Sequence, residues 1–314
     1  MAGTAPAPQT RRSARWNLCS HDPEAASRLS EALQLHPLAA RVLCARGFHN
    51  LAAAEDFLSP QLASLHDPLL MKDMAVAANR ISSAIERRES ILLYGDYDVD
   101  GTTSVVILKK AIELLGGSAE FHVPHRLKEG YGMRSEVIER AAAAGVRLII
   151  SVDTGIRATD VVRQASELGI DVVVTDHHLP EAQLPPAHAV LNPNRPDCGY
   201  PEKNLCGAGV TFKLIQLLIE RSSFSSSKKA ALLDSFLKLV AVATIADIVP
   251  LTGENRVSVR RGLAGFDRIR NAGRLELIRV AGLADGIAPS AHQVAFRLAP
   301  RINAAGRMAN ARDV

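Results

Sequence analysis

From Ser90 onward the chain alternates short, nearly continuous apolar runs with longer segments of helical periodicity. Ser90-Ile-Leu-Leu-Tyr94, AEFHVP, VRLIISVD and IDVVVTDHH read as strands. The segments VVILKKAIELLGG (a helix from Val105 to Leu115), SEVIERAAAAG and DVVRQASELG read as the helices between them. Strands written as Val/Ile runs are buried on both faces, and strand–helix–strand repeats join them in parallel. The expected fold class is therefore α/β, a parallel β-sheet with helices on both faces. Right-handed crossovers put the C-terminal ends of all the strands on one edge, which is where open sheets of this kind bind ligands.

Three of these strands end in acids or imidazoles: YGDYDVDG with Asp96, Asp98 and Asp100, SVDTG with Asp153, and VTDHH with Asp176, His177 and His178. A fourth acid, Asp247, interrupts the apolar LVAVATIADIVPL, where a charge must be paired, neutralised or metal-bound. The D-x-D-x-D-G run also opens an EF-hand loop, but the twelfth position that should hold a bidentate Glu is Ile107, and the motif lies between a strand and a helix. In an extended segment Asp96, Asp98 and Asp100 would share one face, roughly 7 Å apart. Thr102, Thr103 and Ser104 then offer the hydroxyls that cap the next helix. Carboxylates so close raise one another's pKa unless a cation intervenes. The adjacent rings of His177 and His178 would point to opposite sides of an extended chain, so that one reaches a metal and the other does not.

Composition narrows the partners. Net charge is +4 with a pI near 9.0, compatible with a polyanion, and 4% aromatic residues exclude an extended base-stacking surface. The four cysteines, Cys19, Cys44, Cys198 and Cys206, show neither a CxxC pair nor zinc spacing, as expected for reduced thiols inside a cell. No apolar run is long enough to span a membrane, so a cytoplasmic protein with no membrane partner is expected. Residues 1–35 read as an irregular or disordered tail, 36–88 as a helical N-terminal segment, 89–251 as the α/β domain and 252–314 as a C-terminal connecting region. SSFSSSKK, Ser222 to Lys229, reads as a loop.

DYDVDGTTS, SVDTG, VTDHH and TIADIVPL, in that order, resemble the four motifs of the DHH phosphoesterase superfamily. HRLKEGYG, LNPNRPDCGYP, LCGAGVTFKL and PRINAAGRM resemble those of its RecJ branch, single-strand-specific exonucleases. The resemblance runs from about His36 to the last residue. It implies a metal-dependent hydrolase that degrades single-stranded DNA from the 5′ end in repair and recombination, with Mn²⁺ or Mg²⁺, two ions, as cofactor. Carried over by motif, the metal ligands are Asp98, Asp100, Asp153, His177 and Asp247, with Asp96 a further ligand or a neighbour that orients one. Asp100 and Asp153 thereby belong to the catalytic set. Five or six carboxylates and an imidazole suit two-metal phosphodiester hydrolysis, in which a hydroxide is generated and the phosphate charge is neutralised. His178 is assigned to the phosphate or the leaving group, and Asp176 to orienting a histidine.

Arginine's planar fork suits phosphate. Arg126, after a strand on the ligand edge, and Arg301, Asn303 and Arg307 in PRINAAGRM are the substrate-binding candidates. The Gly207-Ala-Gly209 turn offers backbone amides to an anion or close packing to the sheet. A single-strand-binding protein or a helicase is the expected protein partner. Family members continue into a DHH-associated domain and an oligonucleotide-binding barrel, whereas this chain stops at ANARDV, so a truncated core is expected. The alternative functions are a DHH phosphoesterase of short oligonucleotides or cyclic dinucleotides, whose H-x-x-P-D-x-D motif is absent, and a non-catalytic replication scaffold, which would have lost ligands.

Overall fold

The computed structural model describes residues 17–126, 128–268, 271–283, 286–308 and 311. The chain divides into two compact units, Met1–Ser59 and Pro60–Val314. In the first, helices α1 (Pro23–Ala32), α2 (Pro37–Ala45) and α3 (Leu51–Leu58) bury a small cluster around Ala25, Leu29, Ala40, Cys44 and Ala54. Each start is capped: Asp22 accepts from the Glu24 and Ala25 amides, the His36 ring from Leu38, and Asn50 from Ala53. Helix α1 lies inside the stretch expected to be irregular. Its start signal, Asp22 before Pro23 with Glu24 in the first turn, overrides the composition of the preceding segment. Residues 1–16 of the expected tail lie outside the described residues.

The first α-helix of the second unit is α4 (Met74–Glu86), which buries Met74, Ala77, Ala78, Ile81 and Ala84 in the main core. The helical segment expected to run to residue 88 is thus split at Ser59, and α4 belongs with the sheet. The order then follows as β1 (Ser90–Tyr94), α5 (Val99–Leu114), β2 (Ala119–His122), α6 (Ser135–Ala143), β3 (Val146–Val152), α7 (Thr159–Glu167), β4 (Asp171–Thr175), β5 (Ala189–Leu191), α8 (Gly207–Arg221) and α9 (Ser226–Ala246). All strand pairs are parallel, in the order β2-β1-β3-β4-β5. The sheet is buried on both sides, as the Val/Ile runs require. Ile91, Leu93, Leu148 and Ile150 face a core shared with α4, α5 and α8, while Leu92, Tyr94, Ile149, Val172 and Val174 face α6 and α7.

The chain order reverses between β1 and β3, which opens a crevice at their C-terminal ends. Strand β5 was not read from the sequence: at three residues, within PPAHAVLNPN, it is too short to show a period. The Ser222–Lys229 run is only half a loop. Helix α9 starts at Ser226, because the Ser225 hydroxyl accepts from the Lys228 amide and caps it.

Beyond residue 252 follow α10 (Gly253–Ala264), α11 (Ala272–Val280), α12 (Ala291–Gln293), a π-helical turn (Val294–Leu298) and α13 (Ala299–Met308). Helix α10 is pinned by buried Glu254, which accepts from Lys213 Nζ (3.0 Å), the His66 amide (2.8 Å) and the Tyr200 hydroxyl. Helix α13 braces the loop after β1: Asn303 Oδ1 accepts from the Val99 amide at 3.0 Å. Gly306 passes so close that a Cβ there would stand 2.6 Å from the Tyr97 carbonyl.

Candidate metal centre

The loop after β1 is tighter than an extended reading allows. Helix α5 begins at Val99, not Val105, because Asp98 rather than a downstream hydroxyl caps it, accepting from the Gly101 amide at 3.0 Å. Asp100 therefore sits in the first turn of the helix, and the three acids do not share one extended face. Gly101 makes the turn possible, since a Cβ at this position would lie 2.6–2.7 Å from Asp96. Asp100 is only 2% exposed, and both its oxygens are held by the start of α8: Oδ2 by the Gly207 amide (2.6 Å) and Oδ1 by the Ala208 amide (2.8 Å). The Gly207 and Ala208 amides of that turn thus have an anion within the chain itself, and a helix N-terminus suits it.

Asp153 follows β3 in a left-handed conformation (φ 59°), its amide donating to the Thr175 carbonyl at 2.9 Å. A Cβ on Gly207 would meet its carboxylate at 2.6 Å, so glycine is required for α8 to approach. His177 follows β4. Its Nε2 lies 3.2 Å from Asp153 Oδ1 and 3.8 Å from Asp100 Oδ2, and its Nδ1 lies 3.8 Å from Asp247 Oδ2. Asp247 is the C-cap of α9. Acids and an imidazole from β1, β3, β4 and α9 therefore meet at one place on the predicted edge.

Three overlapping groups have ligand atoms within 4.8 Å of one another: Asp96, Asp98 and Asp153; Asp153, His177 and His178; and Asp100, His177 and Asp247. Asp96 Oδ1, Asp153 Oδ1 and His177 Nε2 are buried and make no hydrogen bond. Buried polar atoms without a hydrogen bond, converging from different elements, are the donor set a hard divalent cation takes. Burial and then Asp98 push the Asp96 carboxyl up to about 7, and burial with Asp100 and Asp98 does the same to Asp247. Burial first, then the charges of Asp100 and Asp98, hold Asp153 well above the carboxylate range, and burial holds His177 below the usual imidazole value. A cation reverses this crowding of like charges.

The two histidine rings do not oppose each other. Their centroids are 4.4 Å apart at 54°, because the chain turns after Thr175 instead of staying extended. His178 Nδ1 lies 2.7 Å from Asp176 Oδ1 and 3.5 Å from the Tyr131 hydroxyl. Buried Asp176 also accepts from the Ile156 amide at 3.0 Å and from the amides of both histidines at 2.8 and 3.1 Å. The hydrogen bond to Asp176 raises the His178 pKa above the ordinary value. Beside His178 lies a cavity of about 620 Å³ lined by Tyr131, Thr154, Arg157 and Glu181 among others.

Two carboxamides brace this turn from behind: Asn192 Nδ2 donates to the His178 carbonyl (2.8 Å) and Asn194 Nδ2 to the His177 carbonyl (2.6 Å). Both stand in LNPNRP, directly after β5, and sequence reasoning gave them no role because the strand that aims them was not seen. Among the substrate candidates, Arg126 is exposed beyond β2 with its guanidinium 5.0 Å above the Tyr97 ring. Arg301 and Arg307 are exposed on α13, Arg301 donating to the Arg297 carbonyl. Asn303 is half-buried with its oxygen committed to Val99.

Residues 90–244 match the model of the DHH family, N-terminal domain. The chain is 41% identical over 297 residues to the single-stranded-DNA-specific exonuclease RecJ of Bacillus subtilis (strain 168), covering 95% of this chain and 36% of the relative. To the protein of that name from Escherichia coli (strain K12) it is 36% identical over 285 residues, covering 88% and 48%. The chain spans about a third to a half of the length of these relatives. Among solved structures, RecJ in complex with Mn²⁺ from Thermus thermophilus superposes with a TM-score of 0.78 at 35% identity, over 95% of this chain and 41% of that one. An exonuclease RecJ bound to manganese superposes with a TM-score of 0.70 at 37% identity, over 80% and 61%.

Proposed function

This chain belongs to the DHH family, and from that premise we propose that it is the catalytic portion of a metal-dependent exonuclease hydrolysing single-stranded DNA. The observation that carries the reading is the meeting of Asp96, Asp98, Asp100, Asp153, His177 and Asp247 in overlapping groups whose ligand atoms lie within 4.8 Å. These residues would hold two ions, Mn²⁺ or Mg²⁺, with Asp153 and His177 each shared between groups. When bound, such ions supply a hydroxide at neutral pH and offset charge on the phosphate. Residues 89–251 form the catalytic domain on this reading and 252–314 the connecting region.

The chain's own groups do the rest. The α8 amides fix Asp100, and the left-handed turn at Asp153 aims its carboxylate at His177. Asp176 holds His178 Nδ1 and leaves Nε2 for the substrate. With its pKa raised, His178 carries a proton above the ordinary imidazole range and gives it to the departing alkoxide. Arg126, Arg301, Asn303 through its amide nitrogen, and Arg307 hold the phosphates of the strand. Attack from the 5′ end, a role in repair and recombination, cytoplasmic location, and a single-strand-binding protein or helicase as partner belong to the same proposal, by likeness to the relatives. Among the described residues no helix is long and apolar enough to cross a membrane.

The test is degradation of end-labelled single strands with Mn²⁺, with chelator, and by Asp153→Ala. The proposal expects products only with metal and intact Asp153, and activity surviving in chelator would overturn it.

A further inference from the structure

Resting on the reading of this edge as a site for unpaired DNA, we propose that Ile248 is a substrate-contacting residue. Its side chain packs against the sugar and base face of the nucleotide next to the scissile phosphodiester. Ile248 follows Asp247 at the end of α9, with φ 61° and its amide donating to the Ile245 carbonyl at 3.3 Å. That is the left-handed position that closes a helix, and glycine is its usual occupant because a β-branched side chain is strained there. Among the described residues no packing offsets the strain, since Ile248 is 88% exposed. Asp153, left-handed on the same edge, differs in that its carboxylate is buried in the acid cluster. An exposed aliphatic group on a strained backbone is explained by a contact outside the chain.

The location identifies the contact. Asp247 contributes an oxygen to the group formed with Asp100 and His177, so a phosphate held there brings its own sugar and base to the next residue along the chain. Two more exposed side chains with apolar surface adjoin His178, Leu179 (69% exposed) next to it in the chain and Tyr131 (52% exposed) with its hydroxyl 3.5 Å from the His178 Nδ1. Exposed apolar surface beside an acid cluster fits a strand whose bases are unpaired and offer their faces. It offers nothing to pyrophosphate, and a duplex keeps those faces stacked inside.

The test is Ile248→Gly in the full chain, read by thermal unfolding, Mn²⁺ calorimetry and steady-state cleavage of an oligonucleotide. Releasing the strain raises the unfolding midpoint by about 2 °C. Losing the contact raises KM about tenfold, the scale of one partly buried aliphatic side chain, with kcat and Mn²⁺ affinity changing far less. A greater stability coupled to weaker substrate binding is not what a structural role produces. Ile248→Asn, which tolerates the left-handed backbone, is expected to show the same rise in KM. If the wild-type chain binds Mn²⁺ and cleaves while both variants keep its KM, the inference alone is overturned. If the wild-type chain neither binds Mn²⁺ nor cleaves, the reading of the site falls and this inference with it.

Discussion

Gly207→Ala tests how the centre is held together. The amides of Gly207 and Ala208 hold the two oxygens of Asp100 at 2.6 and 2.8 Å, while a Cβ at 207 would stand 2.6 Å from Asp153 Oδ1 and 2.7 Å from its Cβ. The clash cannot be relieved at the tip of a flexible side chain, because Asp153 is buried and its backbone is fixed by Thr175. Either Asp153 moves or the first turn of α8 withdraws, and withdrawal lengthens two charge-assisted hydrogen bonds worth about 1.5–3 kcal/mol each. Either shift displaces a ligand, Asp153 in the one case and Asp100 in the other, so Mn²⁺ affinity should fall about 10–100-fold, as for other groups that orient metal ligands. Stability should fall as well, since the same two hydrogen bonds hold the folded chain together. Gly207 is the first residue of α8, where alanine gains less than the about 1 kcal/mol it gains over glycine in a helix interior, against an overpacking cost of about 1–3 kcal/mol. Calorimetric Mn²⁺ titration with a parallel melt separates the two effects. An affinity within twofold of wild type would refute the reasoning.

In chelator the chain should lose stability as pH rises. Asp96 and Asp247 have folded values of about 7 against 3.8 unfolded, so the stability they contribute is present below the unfolded value and lost through the folded one. Melts at pH 5 and pH 8 should differ in that sense, with Mn²⁺ closing the gap; a melt that rises with pH in chelator contradicts it. Arg126→Ala should raise KM for single strands and reduce the slope of log affinity against log salt by about 1, which a salt series checks. Asn194→Ala removes the 2.6 Å brace on the His177 carbonyl and should lower kcat and Mn²⁺ affinity together while costing about 1–3 kcal/mol of stability, measured by urea unfolding.

The layered sheet and its ligand edge were legible because strands buried on both faces leave continuous Val/Ile runs, and strand–helix alternation leaves one topology to choose. The acids at the ends of β1, β3 and β4 were legible for the same reason. What stayed hidden depends on side chains answering one another across the fold. Asp98 capping its own helix moved Asp100 from an extended face into a helical turn. The turn after Thr175 put both histidine rings on one side. Strand β5 pairs through three residues only, so the carboxamides of Asn192 and Asn194 had no frame in the sequence. The strained backbone at Ile248 left no local signal, since isoleucine gives none for a left-handed turn.

Anomalous diffraction from crystals soaked in Mn²⁺ tests the central claim most directly. The account predicts two manganese peaks inside the cluster, one bonded to Asp153 with Asp96 or Asp98 and one to His177 with Asp100 or Asp247. Peaks elsewhere, or a cluster that stays free of manganese while the crystal binds it at other positions, would contradict it.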